Sequence, residues 1–262
     1  MKAKKSFGQH FLRDESISRR IADLLQPKGR YAKVLEIGPG QGMLTQFLLP
    51  KEYELVVVEA DRDMIPILQR NFPELKGQII TGDFLRQDLP LFFPKGEAFA
   101  IIGNFPYNIS SQILFKMLDH REQVPELVGM FQKEMAERVV AAPGSKIYGV
   151  ISILVQAYYE GEYCFTVDRT AFDPPPKVQS AVIHLRRKAE QDLGCDHKLF
   201  RRVVKQAFSQ RRKMLRNTMK GFVKGHSMLT EDFFMQRPER LSVEDFIELT
   251  NRLQEAIHKD VD

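Results

Sequence analysis

Four short apolar runs in the first 102 residues constrain the fold more than any other feature of this chain. Residues 34–37, 55–58, 78–81 and 99–102 are rich in Val, Ile, Leu and Phe. They lack the polar alternation of a strand with one wet face. Residues 43–49 and 61–71, between them, have helical spacing, as do residues 15–26, where Ile17, Ile21, Leu24 and Leu25 share a face. Buried strands alternating with helices imply βαβ units and a mostly parallel sheet with both faces covered. Downstream, residues 126–132 read as a strand, 133–141 as a helix closed by Ala142-Pro143-Gly144, and 147–159 as a buried helix. Residues 163–167 and 178–186 read as strands, antiparallel, around Asp173-Pro174-Pro175-Pro176. After Arg187 the pattern becomes helical. Residues 196–222 read as a basic helical stretch, and Ser242-Val243-Glu244-Asp245 as a capping box that opens a last helix to about His258. The predicted organisation is an α/β domain over residues 1–190 and a small all-helical domain over residues 191–262.

Composition narrows the class. The 262 residues are 43% hydrophobic and 28% charged, an ordinary globular balance. Two distant cysteines, Cys164 and Cys195, argue against a disulfide framework or a cysteine zinc site, and no metal-ligand spacing is visible. No apolar run approaches the ~18 residues of a membrane span. The basic start of the chain runs into polar residues where a signal sequence would be apolar, so a soluble cytoplasmic protein is expected. The net charge is +5, but it is local: residues 196–225 hold ten Lys or Arg against one acid, and residues 226–262 hold four against nine. Such a stripe suits a polyanion, or is a solvated helix face.

Glu36-Ile37-Gly38-Pro39-Gly40-Gln41-Gly42 follows the first strand of the βαβ series and precedes a helix. Glycines there let the backbone approach a ligand at the strand's carboxyl end. The dinucleotide spacing fails, because Met43 stands at the sixth position, and Pro39 removes an N–H that a pyrophosphate needs. A nucleoside without phosphates fits better. Glu59, ending the second strand, is placed to accept from two ribose hydroxyls, and Asp83, after the third, from an adenine amine. Together they describe a slot for S-adenosylmethionine, unless both acids only cap the helices that follow them.

Asn104-Phe105-Pro106-Tyr107 ends the fourth run, on the same sheet edge. An exocyclic amine of a base is a poor nucleophile, because its lone pair is delocalised into the ring. The Asn104 side-chain oxygen and the Phe105 carbonyl can accept from that NH₂ and aim its lone pair at a methyl donor, while Tyr107 stacks on a base extracted from its helix. Catalysis is then orientation and electrostatics, without a strong general base.

That tetrapeptide is similar to the motif of methyltransferases that act on base amino groups. Phe7-Gly8-Gln9-His10-Phe11-Leu12, Gln132-Lys133-Glu134-Met135-Ala136-Glu137-Arg138, Ser145-Lys146-Ile147-Tyr148-Gly149, Phe172-Asp173-Pro174-Pro175-Pro176-Lys177-Val178-Gln179-Ser180-Ala181-Val182 and Phe208-Ser209-Gln210-Arg211-Arg212-Lys213-Met214-Leu215-Arg216-Asn217 resemble the ribosomal RNA adenine dimethyltransferases. The last segment resembles the small-subunit branch. The resemblance implies a seven-stranded, Rossmann-like class I methyltransferase sheet with a helical C-terminal domain. It implies dimethylation of N6 on two adjacent adenines in the 3′-terminal hairpin of 16S rRNA, within an immature small subunit, by a monomer that yields S-adenosylhomocysteine. Gln9, His10, Leu12, Gly38, Gly40, Glu59, Asp83 and Asn104 would hold the cofactor, and Phe172 would face Tyr107 across the base. Lys177, Arg211, Arg212, Lys213 and Arg216 would touch RNA. His10 stands where Asn is frequent and Phe105 where Leu is frequent. The alternatives are a 23S rRNA enzyme of the macrolide-resistance type and a non-catalytic assembly factor on the same fold.

Overall fold

The computed structural model describes residues 10–223 and 225–259. Residues 7–9 of the N-terminal motif, Gln9 among them, lie outside these. Among the described residues, nine strands form two sheets: β1 (Phe11–Leu12), β2 (Lys33–Ile37), β3 (Glu54–Glu59), β4 (Ile79–Thr81), β5 (Phe99–Asn104), β6 (Glu126–Gln132), β7 (Tyr159–Val167), β8 (Phe172–Asp173) and β9 (Ser180–Arg187). The large sheet has the order β4-β3-β2-β5-β6-β9-β7, and β1 pairs with β8 in a separate two-stranded sheet.

The strands β4, β3, β2, β5 and β6 run parallel, and β9 is antiparallel to β6. The four apolar runs are the four parallel strands of one half of this sheet. Val34, Leu35, Val57, Ile101 and Ile102 are fully buried, which is why the runs of β2, β3 and β5 show no alternation, while β4, at the sheet edge, is only half-buried. Their order reverses direction at β2, whose neighbours are β3 on one side and β5 on the other. Loops leaving neighbouring strands there diverge and open a crevice at their carboxyl ends. The helix Glu15–Asp23 is capped by Asp14, whose carboxylate accepts from the Ser16 N–H at 2.9 Å, and turns Ile21 and Ala22 inward. The helix after the glycine loop is only Thr45–Leu48, shorter than the apolar spacing suggests, because Gly38, Gly40 and Gly42 all take left-handed φ and delay its start.

The described chain divides into two compact units, one from residues up to 136 with 160–187, the other from residues 137–159 with those after 187. The second unit therefore includes a segment that the sequence pattern places in the first. Its helix Val150–Gln156 packs on His197–Phe208, and the Tyr158 hydroxyl bonds to His197 Nδ1 at 2.7 Å. Apolar spacing marks residues 147–159 as buried without saying against what. The basic stretch is also not one helix. His197–Phe208 ends at Ser209, residues 209–214 form a turn, and a short helix spans Leu215–Thr218. The capping box is present: the Ser242 Oγ accepts from the Asp245 N–H at 3.1 Å, and Asp245 accepts from the Ser242 N–H at 2.8 Å.

Gly103 of β5 and Gly129 of β6 are direct register partners. The missing side chains leave a flat slot filled by the Phe105 ring, 1% exposed and edge-on to Phe131 with centroids 5.0 Å apart. A Cβ on Gly129 would lie 2.2 Å from Phe105 and 2.7 Å from Phe131. We expect Gly129→Ala to lower stability by about 1–3 kcal/mol through overpacking. Adding Phe105→Leu should recover part of the loss, and urea unfolding of the four-member mutant cycle reads the coupling.

Candidate functional site

A cavity of about 550 Å³ lies at the carboxyl ends of β2, β3, β4 and β5. Its volume is in the range of sites that enclose a small organic ligand. Its wall includes His10, Leu12, Gly38, Gly40, Glu59, Asp83 and all four residues Asn104-Phe105-Pro106-Tyr107. The two halves predicted from sequence, a nucleoside slot and an amine-binding tetrapeptide, thus line one space.

The glycine loop is held by hydrogen bonds to the neighbouring strand. The Gly38 N–H donates to Val58 O at 2.9 Å, and the Gly40 N–H to Glu59 Oε2 at 2.9 Å. Gly42 needs to be glycine twice over: φ is +89°, and a Cβ would fall 2.0 Å from the Phe72 ring. Glu59 also accepts from the Asp61 N–H through Oε1 at 2.8 Å. One N–H on each oxygen fixes the carboxylate plane and leaves a lone pair on each for further donors. Burial pushes its pKa above the ordinary glutamate value, against the lowering effect of those N–H groups. Paired hydroxyl donors suit this arrangement.

Asp83 follows β4. Its Oδ1 accepts from the Leu85 N–H at 2.9 Å, capping the turn Phe84–Arg86. Capping and cavity lining are therefore both true of Asp83, and Oδ2, which stands 3.8 Å from the exposed Arg86 Nε, can still accept from an amine. Asn104 ends β5 and donates its side-chain NH₂ to His10 O at 3.2 Å. That bond commits the nitrogen and leaves the amide oxygen as the acceptor. With its ring in the glycine slot and its N–H given to Met130 O at 3.1 Å, Phe105 offers the cavity main chain only.

The Tyr107 hydroxyl bonds to Ser180 Oγ at 2.6 Å, and its ring stacks on His10 with centroids 5.6 Å apart. Burial raises the pKa of that hydroxyl. His10 Nδ1 bonds in turn to Pro174 O at 2.8 Å. The segment around β1 is thus a strap tied to the tetrapeptide on one side and to the proline-rich loop on the other. Arg13 pairs with Asp173, and the β1–β8 ladder sets Leu12 opposite Phe172.

Phe172, beside Leu12 on that ladder, is packed into the core. Its ring is 4% exposed, lies in the apolar cluster with Leu12, Ile21, Met130 and Val182, and is absent from the cavity wall. The ring stacked on Tyr107 in this structure is that of His10. Lys177 is exposed on the loop before β9. Arg212, Lys213 and Arg216 are exposed, whereas Arg211 is half-buried and donates to Ser145 O at 3.2 Å.

Of the cavity residues not singled out from sequence as site residues, three bear on the chemistry. Phe11 packs over Gly40, with a contact of 3.2 Å to the position a Cβ would take. Ser18, on the helix Glu15–Asp23, has a fully buried hydroxyl without a partner. Glu36 is 1% exposed, accepts from Thr45 Oγ1 at 2.7 Å, and has its pKa pushed up to about 8 by burial, with nearby Glu59 adding to the rise. Only Glu36 gave a signal, as the acid two residues before Gly38. An orphaned hydroxyl, an uncharged carboxyl and an oriented carboxylate along one wall fit a polar ligand such as S-adenosylmethionine.

The family model described as ribosomal RNA adenine dimethylase matches residues 1–255. The chain is 54% identical over 260 residues to the ribosomal RNA small subunit methyltransferase A of Parabacteroides distasonis, covering 99% of this chain and 97% of that one. It is 52% identical over 256 residues to the protein of the same name from Porphyromonas gingivalis, covering 97% and 99%. Among solved structures it is similar to a dimethyladenosine transferase from Plasmodium falciparum, with TM-score 0.76, 26% identity and 94% and 98% coverage. It is also similar to the 23S rRNA methyltransferase ErmE, with TM-score 0.68, 25% identity and 93% and 99% coverage.

The Glu36 carboxyl yields a pH prediction. Its folded pKa, about 8, lies above its ordinary value of 4.5. Between those values the unfolded chain releases this proton and the folded chain keeps it. Stability therefore falls as pH rises through that window, by up to about 1.4 kcal/mol per pH unit from this group. Glu36→Gln should remove the slope, so that thermal melts of the variant gain on the parent at pH 8 relative to pH 5. Parallel melting curves across that range would exclude a neutral Glu36.

Proposed function

Because the chain belongs to the ribosomal RNA adenine dimethylase family, we propose that its substrates are two adjacent adenines in the 3′-terminal hairpin of 16S rRNA, presented in an immature small ribosomal subunit. The family fixes the reaction class: the protein is an S-adenosylmethionine-dependent rRNA adenine N6,N6-dimethyltransferase. When bound, S-adenosylmethionine supplies an electrophilic methyl on sulfur. The observation that carries the proposal is the single cavity shared by Glu59, Asp83 and the tetrapeptide at Asn104. The small-subunit assignment rests on relatives of that name at 52–54% identity across nearly the whole chain.

In this reading Glu59 accepts from the two ribose hydroxyls through the lone pairs that Gly40 and Asp61 leave free, and Asp83 accepts from the adenine amine of the donor. His10 and Leu12 cover the donor from the strap, with Gly38 and Gly40 beneath it. Gln9 belongs to the same motif. The target amine is held by the Asn104 Oδ1 and the Phe105 carbonyl, which pull the nitrogen toward a tetrahedral shape and aim its lone pair. After attack the nitrogen is cationic and acidic, and its proton passes to water. Tyr107, steadied by Ser180, stacks on the extruded base. Phe172 serves this site from the core, by holding β8 against the strap. Replacing a ring on which a base stacks costs about 1–3 kcal/mol of binding.

The exposed cations Lys177, Arg212, Lys213 and Arg216 position RNA through phosphate, without reading bases. Arg211 supports the turn that presents its two neighbours. Among the described residues no helix is long and apolar enough to cross a membrane. We place the enzyme in the cytoplasm, acting as a monomer and without a metal.

Asn104→Ala should reduce methyl transfer by at least about 100-fold, as removal of one preorganised transition-state interaction does, while RNA affinity stays within about twofold. Undiminished turnover would remove this account of amine activation. Methyl mapping of both rRNAs from a deletion strain separates small-subunit from large-subunit action: the 3′-terminal 16S adenines should lose their methyl groups while 23S rRNA is unchanged. For the cationic turn, Arg212→Gln with Lys213→Gln should flatten the log–log salt dependence of RNA binding by about 0.7–0.9 for each phosphate no longer neutralised. An unaltered slope assigns the turn to solvent.

A further inference from the structure

Lys116 lies on the helix Ser110–Asp119, is half-buried, and has no part in the chemistry described above. Its ammonium donates to three main-chain carbonyls of one loop: Phe84 O at 2.8 Å, Leu85 O at 3.1 Å and Gln87 O at 2.5 Å. It also stands 5.0 Å from the centre of the Phe84 ring. All three of its N–H donors are thereby committed, and the loop they gather is the one that leaves β4 through Asp83. Desolvation lowers the pKa of this lysine, while the Asp83 and Asp88 carboxylates favour its charged form. An ammonium satisfied by three carbonyls under one turn of chain is a built feature, because a partly buried charge is tolerated only when its donors are matched.

The peptide unit joining Phe84 to Leu85 connects Lys116 to Asp83. Its carbonyl accepts from Lys116, and its N–H donates to Asp83 Oδ1 at 2.9 Å. A peptide whose oxygen is bound by a cation is polarised and becomes a stronger donor through its nitrogen. Oδ1 is thus pinned by a charge-reinforced bond from the Lys116 side, while Oδ2 at the other end of the carboxylate faces the long, solvent-exposed pair with Arg86 Nε at 3.8 Å. The same helix begins at Ser110, whose hydroxyl donates to Tyr107 O at 3.1 Å. Six residues of helix, about 9 Å of rigid rise, therefore link the loop at Asp83 to the tetrapeptide.

We propose that Lys116 is a positioning residue for the purine end of the cavity: by holding the carbonyls of Phe84, Leu85 and Gln87, it orients Asp83 and so sets the preference of the site for a purine bearing a 6-amino donor. The inference rests on the reading of Asp83 as the acceptor of that amine. Lys116 touches no substrate and acts through the 84–85 peptide. A merely structural lysine would alter stability and weaken every ligand alike, whereas this one governs discrimination between purines.

The test is calorimetric titration of the purified full-length chain with S-adenosylhomocysteine and with S-inosylhomocysteine. The latter carries an oxygen acceptor where adenine has its amine. A site built to accept from an N–H rejects the analogue lacking it, so the parent should prefer the adenosyl ligand by at least about tenfold. Asp83→Asn should abolish that preference. Lys116→Met should cut it by about fivefold or more, with S-inosylhomocysteine affinity nearly unchanged. Should Lys116→Met not fold, Lys116→Arg decides the matter: it keeps the charge, but its planar fork cannot converge on three oxygens from one point, and the preference should fall again. Full preference in a folded Lys116 variant, with none in Asp83→Asn, overturns the role of Lys116 alone. Full preference in Asp83→Asn overturns the reading of Asp83, and the proposal with it.

Discussion

Parallel pairing of β4, β3, β2 and β5 places four loops at one edge of one sheet. Parallel strands need crossover connections, so each loop leaves the sheet at a strand's carboxyl end and must turn toward a covering helix or turn. Reversal of strand order at β2 parts those loops and makes the crevice. Glu59 and Asn104 are the last residues of β3 and β5, the glycine loop starts directly after β2, and Asp83 stands two residues past β4. Their proximity follows from topology rather than from any attraction between them. Three of the four carry side-chain oxygens, and without the sheet nothing would bring these together in a partly dry space.

Given that placement, backbone hydrogen bonds supply the orientation. Glu59 is held by two N–H groups, Asp83 by one, and Asn104 by the carbonyl it donates to. Each bond occupies one lone pair or one N–H and leaves a defined partner free. Preorganised groups of this kind need not reorganise during reaction, which is how electrostatic catalysis gains its advantage. Buried carboxyls along the same wall are costly unless matched, and burial raises both Glu36 and Glu59 above their ordinary values. A bound polar ligand offsets that cost, so the cavity is strained toward occupancy in electrostatic rather than backbone terms.

The strap behaves differently. β1 contributes two residues to a two-stranded ladder with β8, and the ties around it include the bonds of His10 to Pro174, of Asn104 to His10 and of the Arg13 N–H to Ala171 O, the Arg13–Asp173 pair and the stacking of His10 on Tyr107. Few buried apolar contacts secure it beyond Leu12, so it is the cavity wall with the lowest expected opening free energy. The core side of the ladder is firmer, because Phe172 and Leu12 enter the same apolar cluster.

Apolar runs without alternation announced the parallel strands, and Glu59, Asp83 and Asn104 were recognisable because each stands within two residues of the end of such a run. Local chemistry also fixed the capping box at Ser242 and the need for glycine in the loop after β2. Other features depend on partners distant in the chain. Phe172 looks like a ligand-facing aromatic, yet it packs with Leu12, Met130 and Val182 in the core and lies outside the cavity wall. Arg211 looks equivalent to Arg212 until it meets Ser145. Residues 137–159 look like part of the first domain until their helix finds His197–Phe208. The sequence alone determined which residue types stand at the ends of the buried strands, because strand burial and turn chemistry are written locally. Tertiary structure decided which way each side chain faces and what it touches, because that depends on pairings between segments up to 160 or more residues apart, whose register no local pattern encodes.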